Sequence, residues 1–298
     1  MVIIDGKKIS ALIKEEIKKE VEDRKAKGLQ PPHLAAVLVG TDGASQTYVN
    51  SKVLACEKVG FTSTLVKEKD SISEAQLIQI IDQLNNDSSV DGYIVQLPLP
   101  KHIDEQKILM AVDPNKDVDG FHPFNFGKMA LEMPTFIPAT PFGIMELLKR
   151  YDIEVASKHC VVIGRSHIVG RPISILISQK KKYANATVTL AHSRTINLDH
   201  LTRSADIIIT ALGRPEFLKA DMVKEGSVVI DVGITRVSDS NAKRGYVLKG
   251  DVDFEGVSKK AKAITPVPGG VGPMTIAMLL KNTLLASERK VVRLDAVS

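Results

Sequence analysis

Short strand-like runs, several of them continuously apolar, alternate along this chain with stretches of helical periodicity in two separate series. The first series holds HLAAVLV (33–39), FTSTLVKE (61–68) and GYIVQL (92–97). The second holds HCVVIG (159–164), ATVTLAHS (186–193), ADIIITAL (205–212) and SVVIDVG (227–233). A run that is apolar at nearly every position fits a strand covered on both faces, as strands of parallel sheets are. Parallel strands joined through helices need right-handed crossovers. Each series therefore reads as an α/β layer structure, and the expected fold class is α/β with two α/β domains. At 298 residues the chain is long enough for two cores.

The helices between these runs carry their own start and stop signals. Asp5 can cap a first helix on which Ile9, Leu12, Ile13, Ile17 and Val21 recur, with Gly28 and Pro31 as stops. A second helix is expected from about Ala44 to Val59. Ser73 and Gln76 have capping-box spacing at the head of SEAQLIQIIDQLN. LEMPTFIPATP (131–141) carries three prolines and marks a domain boundary, after which Thr140 caps a helix with Pro141 at its first position. Helices are also expected over 172–182 and from about Pro273 to Ser287, the latter packing back on the first domain. The expected division is 1–138 plus a C-terminal helix, 273–298, against 139–272.

Bulk composition narrows the function classes. No apolar run approaches the ~20 residues that span a bilayer, and MVIIDGKK has neither the basic start nor the apolar core expected of a signal peptide. Two cysteines, Cys56 and Cys160, cannot form a disulfide framework, so a cytoplasmic location is expected. The net charge of +5 is spread over helices that mix both signs, with no basic stripe or tryptophan, which argues against nucleic acid as a partner. The same balance suits anionic small molecules. The seven histidines show no ligand spacing and no cysteine pairs exist, so no metal site is expected.

The sharpest local motif is CVVIGRSHIVGRP, a strand, a glycine turn and a helix start. Gly164 suits a turn in which a Cβ would clash, and Gly170 allows close helix–strand packing. A helix N-terminus there offers N–H groups and a positive dipole end to a pyrophosphate. This gives the second domain a Rossmann-type parallel sheet, roughly 139–268, although the spacing is not GxGxxG and an ordinary strand–helix turn stays open. An NAD site places an acid about 20 residues past the glycines. Here the next strand ends in His192, Ser193 and Arg194, and Arg165 follows the first glycine. That set suits a 2′-phosphate and hence NADP, unless the two arginines are only exposed charges.

In the first domain, Ser45, Tyr48 and Lys52 form one polar line on a helix, beside an apolar stripe of Val49, Val53 and Cys56. Taken alone, that line reads as a solvated face. Gln96 adds weight to a site, because it is a polar residue at the C-terminal end of a buried strand, where open α/β sheets place ligands. Nearby, PNKDVDGFHP holds Asp117, Asp119 and Gly120, which serve either as turn formers or as ligands to a polar heterocycle. ITPVPGGVGPMT (264–275) is a rigid loop leading into a helix, and it either lines a cleft or makes a tight connection.

These segments in this order resemble the bifunctional methylenetetrahydrofolate dehydrogenase/methenyltetrahydrofolate cyclohydrolase family. The likeness runs through YVNSKVLACEKVGF, DGYIVQLPLP, DPNKDVDGFHP, PATPFGIMELL, VVIGRSHIVGRP, GDVDF and TPVPGGVGPMT, nearly the whole chain. The resemblance implies two domains around a cleft, tetrahydrofolate substrates, NADP and a homodimer. It further implies that Lys52 carries the catalytic proton, Tyr48 stacks on the folate, Gln96 tunes Lys52 and Asp119 bonds the pterin. Ser45, Val95, Leu97, Pro268, Gly269, Gly270, Val271 and Gly272 would line the folate pocket. Gly164, Arg165, Ser166, Ser193 and Ile234 would hold NADP. Three positions depart from the family pattern: Ala139, Ala191 and Thr235, the last beside the implied nicotinamide site. A shikimate-dehydrogenase-like plan would lack DGYIVQLPLP and PGGVGP, and a non-catalytic NADP sensor would not need Lys52 or Asp119.

Overall fold

The computed structural model of the protein describes residues 1–240, 242 and 245–288. In chain order the first half runs β1 (Val2–Ile3), α1 (Gly6–Ala26), β2 (His33–Val39), α2 (Gly43–Val59), β3 (Thr62–Glu68), α3 (Glu74–Asn86), β4 (Gly92–Val95), α4 (Glu105–Ala111) and α5 (Pro123–Ala130). The second half runs α6 (Ala139–Arg150), β5 (His159–Ile163), α7 (Gly170–Ser178), β6 (Thr187–Ala191), α8 (Leu198–Ser204), β7 (Ile207–Thr210) and β8 (Val228–Asp231). It closes with β9 (Thr235–Ser238), β10 (Tyr246–Lys249), α9 (Phe254–Ser258), β11 (Ala263–Ile264) and α10 (Val271–Ser287). The part of the expected C-terminal helix from 289 to 298 lies outside the described residues.

Two compact units result. One comprises Leu12–Ala139 and the chain from Ile276, the other Met1–Ala11 and Thr140–Thr275, so the division falls inside α1 and α10 and after the first residue of α6. In the unit starting at Leu12, β2 lies between β3 and β4 in a parallel sheet. Val37, Tyr93 and Val95 from the sheet share a core with Leu77 and Ile81 of α3 and Ile108 of α4. Those α3 positions recur at helical spacing, and burying each side chain contributes about 1.5–3 kcal/mol. The Ser73–Gln76 capping box forms as expected and fixes where α3 begins.

The other unit is a six-stranded parallel sheet in the order β1-β11-β8-β7-β5-β6. From β5 the chain moves outward to β6 and then returns past β5 to β7, which makes a topological switch between β5 and β7. Ligands of open α/β sheets bind at the carboxyl ends of such strands. Val2 and Ile3 pair with Ala263 and Ile264, so residues 1–11 pack with this unit although the linear reading groups them with 12–138. A two-residue strand carries no periodicity, and only the distant partner defines it.

Other local expectations shift. β4 stops at Val95, leaving Gln96 and Leu97 beyond the strand. Thr140 sits inside the first turn of α6, and its hydroxyl bonds that of Thr275 at 2.9 Å rather than serving as a cap. The helix expected over 172–182 occupies 170–178. The antiparallel hairpin of β9 and β10, where the Arg236 guanidinium lies 5.0 Å from the Tyr246 ring centroid, has no counterpart in the sequence reading. Among the described residues no helix is long and apolar enough to cross a membrane.

Candidate functional site

Helix α2 begins where Asp42 accepts a hydrogen bond from the Ser45 N–H at 2.7 Å. Its polar line is not a solvated face. Ser45 is buried, Tyr48 half-buried, and Lys52 only 5% exposed. The Lys52 ammonium donates to Gln96 Oε1 at 3.1 Å and lies 4.7 Å from the centroid of the Tyr48 ring. Gln96 is oriented by its other end, since Nε2 donates to the Leu97 carbonyl at 2.7 Å and its backbone N–H continues the sheet to Val37. Burial holds Lys52 below the ordinary lysine value of 10.5, and the Asp119 charge opposes that shift. A buried lysine of this kind releases its proton more readily than an exposed one, which is what proton transfer near neutral pH requires.

The two acids of the DVDG turn separate into different roles. Asp117 is buried and accepts from the N–H groups of Phe121 (3.2 Å) and His122 (2.8 Å) and from Asn125 Nδ2 (2.8 Å). It is the turn former, and burial raises its pKa to about 7. Asp119 is half-buried, with its pKa also raised by burial and pulled back by the Lys52 charge. The turn is clamped from α10, where Asn282 Nδ2 donates to the carbonyls of Val118 (2.8 Å) and Ile137 (2.9 Å). Lys52, Gln96, Tyr48 and Asp119 thus form one electrostatically coupled group at the end of β4.

Val95 and Leu97 do not join that group through their side chains. Both pack with the core formed by α3 and α4. Gln96 is directed to Lys52 of α2, and its two neighbours to that core. The residues 268–272 lie in the other unit. There Gly269 accepts from the Lys7 N–H at 2.8 Å, while Gly270 and Val271 are buried and Gly272 sits against Ile234.

In that other unit the glycine motif folds as a strand, a turn and a helix. Gly164 has φ +123°, and an added Cβ would collide with the Ala211 carbonyl; one on Gly170 would collide with the Gly164 carbonyl. Arg165 and Ser166 are exposed on the turn, and the Ser166 hydroxyl accepts from the N–H groups of Val169 (3.2 Å) and Gly170 (3.3 Å). Gly164 N–H bonds Ala191 at the end of neighbouring β6, and Ser193 and Arg194 follow it, exposed. Ile234, 52% exposed, stands beyond the end of β8. These groups all lie at the carboxyl edge of the sheet, beside the switch between β5 and β7. The sequence reading does not single out Asp231 and Asp251, two buried carboxylates behind this edge. A lone acid closing an apolar strand, as in SVVID, was the available signal.

Comparison with known proteins assigns each constellation to a domain of one family. The catalytic-domain model of the tetrahydrofolate dehydrogenase/cyclohydrolase family matches residues 4–119, and the model of its NAD(P)-binding domain matches residues 138–291. The bifunctional protein FolD of Flavobacterium johnsoniae is 69% identical over 290 residues, covering 97% of this chain and 98% of its own. The crystal structure of the bifunctional FolD enzyme from Campylobacter jejuni is 48% identical, covers 97% of this chain and 99% of its own, and superposes with a TM-score of 0.92. The Trypanosoma brucei methylenetetrahydrofolate dehydrogenase-cyclohydrolase, solved with NADP and an inhibitor, is 37% identical, with coverage of 98% and 99% and a TM-score of 0.92. With a lysine–glutamine–aspartate group in one matched region and a glycine dinucleotide turn in the other, the chain belongs to the tetrahydrofolate dehydrogenase/cyclohydrolase family.

Proposed function

We propose that the protein oxidises 5,10-methylenetetrahydrofolate to the 5,10-methenyl form with NADP⁺ and hydrolyses that product to 10-formyltetrahydrofolate. The observation that carries this reading is the buried Lys52, hydrogen-bonded to Gln96, beside Tyr48 and facing the charge of Asp119. The unit beginning at Leu12 handles the folate, and the unit beginning at Thr140 handles the dinucleotide.

In the hydrolysis, water attacks the cationic methenyl carbon while neutral Lys52 takes the proton that the water loses. The bond from that carbon to N5 then breaks as Lys52 returns a proton to N5 and the adduct's hydroxyl proton leaves to solvent, so that the carbon–oxygen double bond of the formyl group forms on N10. Gln96 holds the amine in place throughout, since an ammonium and an amine both have an N–H for its Oε1. Tyr48 offers a ring face to the folate and Asp119 an acceptor to the pterin.

The dinucleotide turn fits its ligand, because the space at Gly164 and Gly170 is one a Cβ would fill. Ser166, Ser193 and Ile234 sit along the same edge, and Arg165 with Arg194 supplies positive charge for a 2′-phosphate. Bound NADP⁺ supplies the hydride acceptor. We read the protein as a cytoplasmic homodimer, in keeping with two free, buried cysteines and the family resemblance. The test is to mix protein, 5,10-methylenetetrahydrofolate and NADP⁺ or NAD⁺, follow reduced cofactor, and then follow decay of methenyl absorbance. Absence of reduced cofactor with either dinucleotide would sink the reading, and light scattering in solution tests the dimer.

A further inference from the structure

Behind the carboxyl edge of the six-stranded sheet lie two buried carboxylates to which the reaction assigns no part. Asp251 is fully buried and follows β10. Its Oδ2 accepts from the N–H groups of Leu212 (2.6 Å) and Gly213 (3.1 Å), and its Oδ1 from that of Arg214 (2.7 Å). Those three residues form the turn after β7, and Ala211 at its start packs against Gly164 of the phosphate turn. The turn is therefore one wall of the switch-point crevice, and the glycine turn is the other.

Asp231, at the end of β8 and 3% exposed, stands one step behind. Its Oδ1 accepts from the N–H groups of Gly233 (2.9 Å) and Asp251 (3.0 Å) and from the Thr210 hydroxyl (3.2 Å), while Oδ2 accepts from Val252 N–H (3.0 Å). It thus fixes both the backbone of Asp251 and the residue before Ile234. The fit leaves no slack: a Cβ on Gly233 would strike the Asp251 carboxyl, and one on Gly250 would strike Asp231. Backbone N–H groups and one hydroxyl, rather than cations, supply the hydrogen bonds to both carboxylates. The arrangement holds shape along the crevice without adding positive charge to it.

We propose that Asp231 and Asp251 are positioning residues for the dinucleotide, acting in series to set the turns 211–214 and 233–234 that flank its binding edge. Both belong to the unit of the dinucleotide turn and Lys52 to the other unit, so they govern cofactor binding and hydride transfer but not hydrolysis. This rests on the assignment of NADP to that edge.

The test uses the full chain with Asp251→Asn and, as a milder variant, Thr210→Val, which removes the hydroxyl's bond to Asp231 together with its longer one to the Ile230 carbonyl. Asp251→Asn turns an amide N–H₂ toward backbone donors. It is expected to weaken NADPH binding by titration about ten- to a hundred-fold, with hydrolysis of added methenyltetrahydrofolate within about twofold of wild type. Thr210→Val should weaken binding by about threefold to tenfold in the same direction. Amide exchange at 212–214 and 233–234 should quicken in both variants. Unchanged NADPH affinity in both variants would overturn the proposal. So would equal loss of binding and hydrolysis with a lowered melting temperature, which marks a role in folding alone. Wild-type protein that binds no NADPH would overturn the underlying reading as well.

Discussion

Replacing Lys52 by methionine tests the centre of the mechanism. Methionine has a similar length and no charge, so the helix and the packing around it are retained while the proton carrier is removed. Positioned acid–base groups contribute about 10²- to 10⁴-fold, or roughly 3–5.5 kcal/mol of barrier. Hydrolysis of methenyltetrahydrofolate should fall by that factor. Hydride transfer moves no proton, so NADPH formation should fall much less.

Stability should move differently. Lys52 sits below its ordinary value because of burial, so the unfolded chain binds more protons between the depressed value and 10.5. Within that window stability rises with pH, and below it the cost of the buried charge is complete. One pKa unit corresponds to about 1.4 kcal/mol. The variant escapes that cost but gives up the Gln96 hydrogen bond, about 1 kcal/mol, and leaves Asp119 without its opposing charge. The two effects oppose, so urea denaturation at neutral pH should show a smaller change for the variant than the larger effect alone would give. Its stability should also lose the upward slope toward alkaline pH. A folded variant that hydrolyses within about threefold of wild type would rule out Lys52 as the proton carrier.

Four further outcomes are expected. Arg165→Ala should cost about 1.5–3 kcal/mol of NADP affinity, roughly ten- to a hundred-fold, with little change for NAD; equal losses in parallel titrations would reject a 2′-phosphate contact. Gly164→Ala, at φ +123° and against the Ala211 carbonyl, should destabilise by about 1–3 kcal/mol and reduce NADPH binding in calorimetry, and an undisturbed variant would contradict the close packing described. Ser73→Ala should lower the stability measured in urea by about 1 kcal/mol, since it opens the capping box of α3 without touching either site. The Asp117 carboxyl is raised to about 7 by burial from an ordinary 3.8, so the folded chain holds the extra proton between those values and stability falls as pH rises through them. The stability gap between wild type and Asp117→Asn should therefore change between about pH 4 and about pH 7, and a constant gap would refute the assignment.

Much of this protein can be read along the chain because the forces involved are local. HLAAVLV becomes β2 over the same residues, since a uniformly apolar run can only be buried on both faces. Ser73 and Gln76 form their capping box because both partners lie within one turn. CVVIGRSHIVGRP folds as strand, turn and helix because glycine alone tolerates the close approaches at 164 and 170. The candidate site was legible as residue types at the ends of strands and along one helix line.

Whether that helix line was wet or dry depended on distant contacts. Lys52 loses its water because Gln96, Tyr48 and the 117–120 turn close around it, and no periodicity in α2 reports that. Asp117 and Asp119 look alike in DVDG, and they part company only when Asn125 and the 121–122 backbone capture the first. Val95 and Leu97 flank Gln96 in sequence yet pack on the core of α3 and α4, while Gln96 bonds Lys52 of α2. Val2 and Ile3 become a strand only through Ala263 and Ile264. Asp231 and Asp251 find their donors in turns that meet only after the sheet has formed. Local geometry set the elements and their punctuation; burial, charge coupling and partner choice came from segments far apart in the chain, whose meeting no short window of residues encodes.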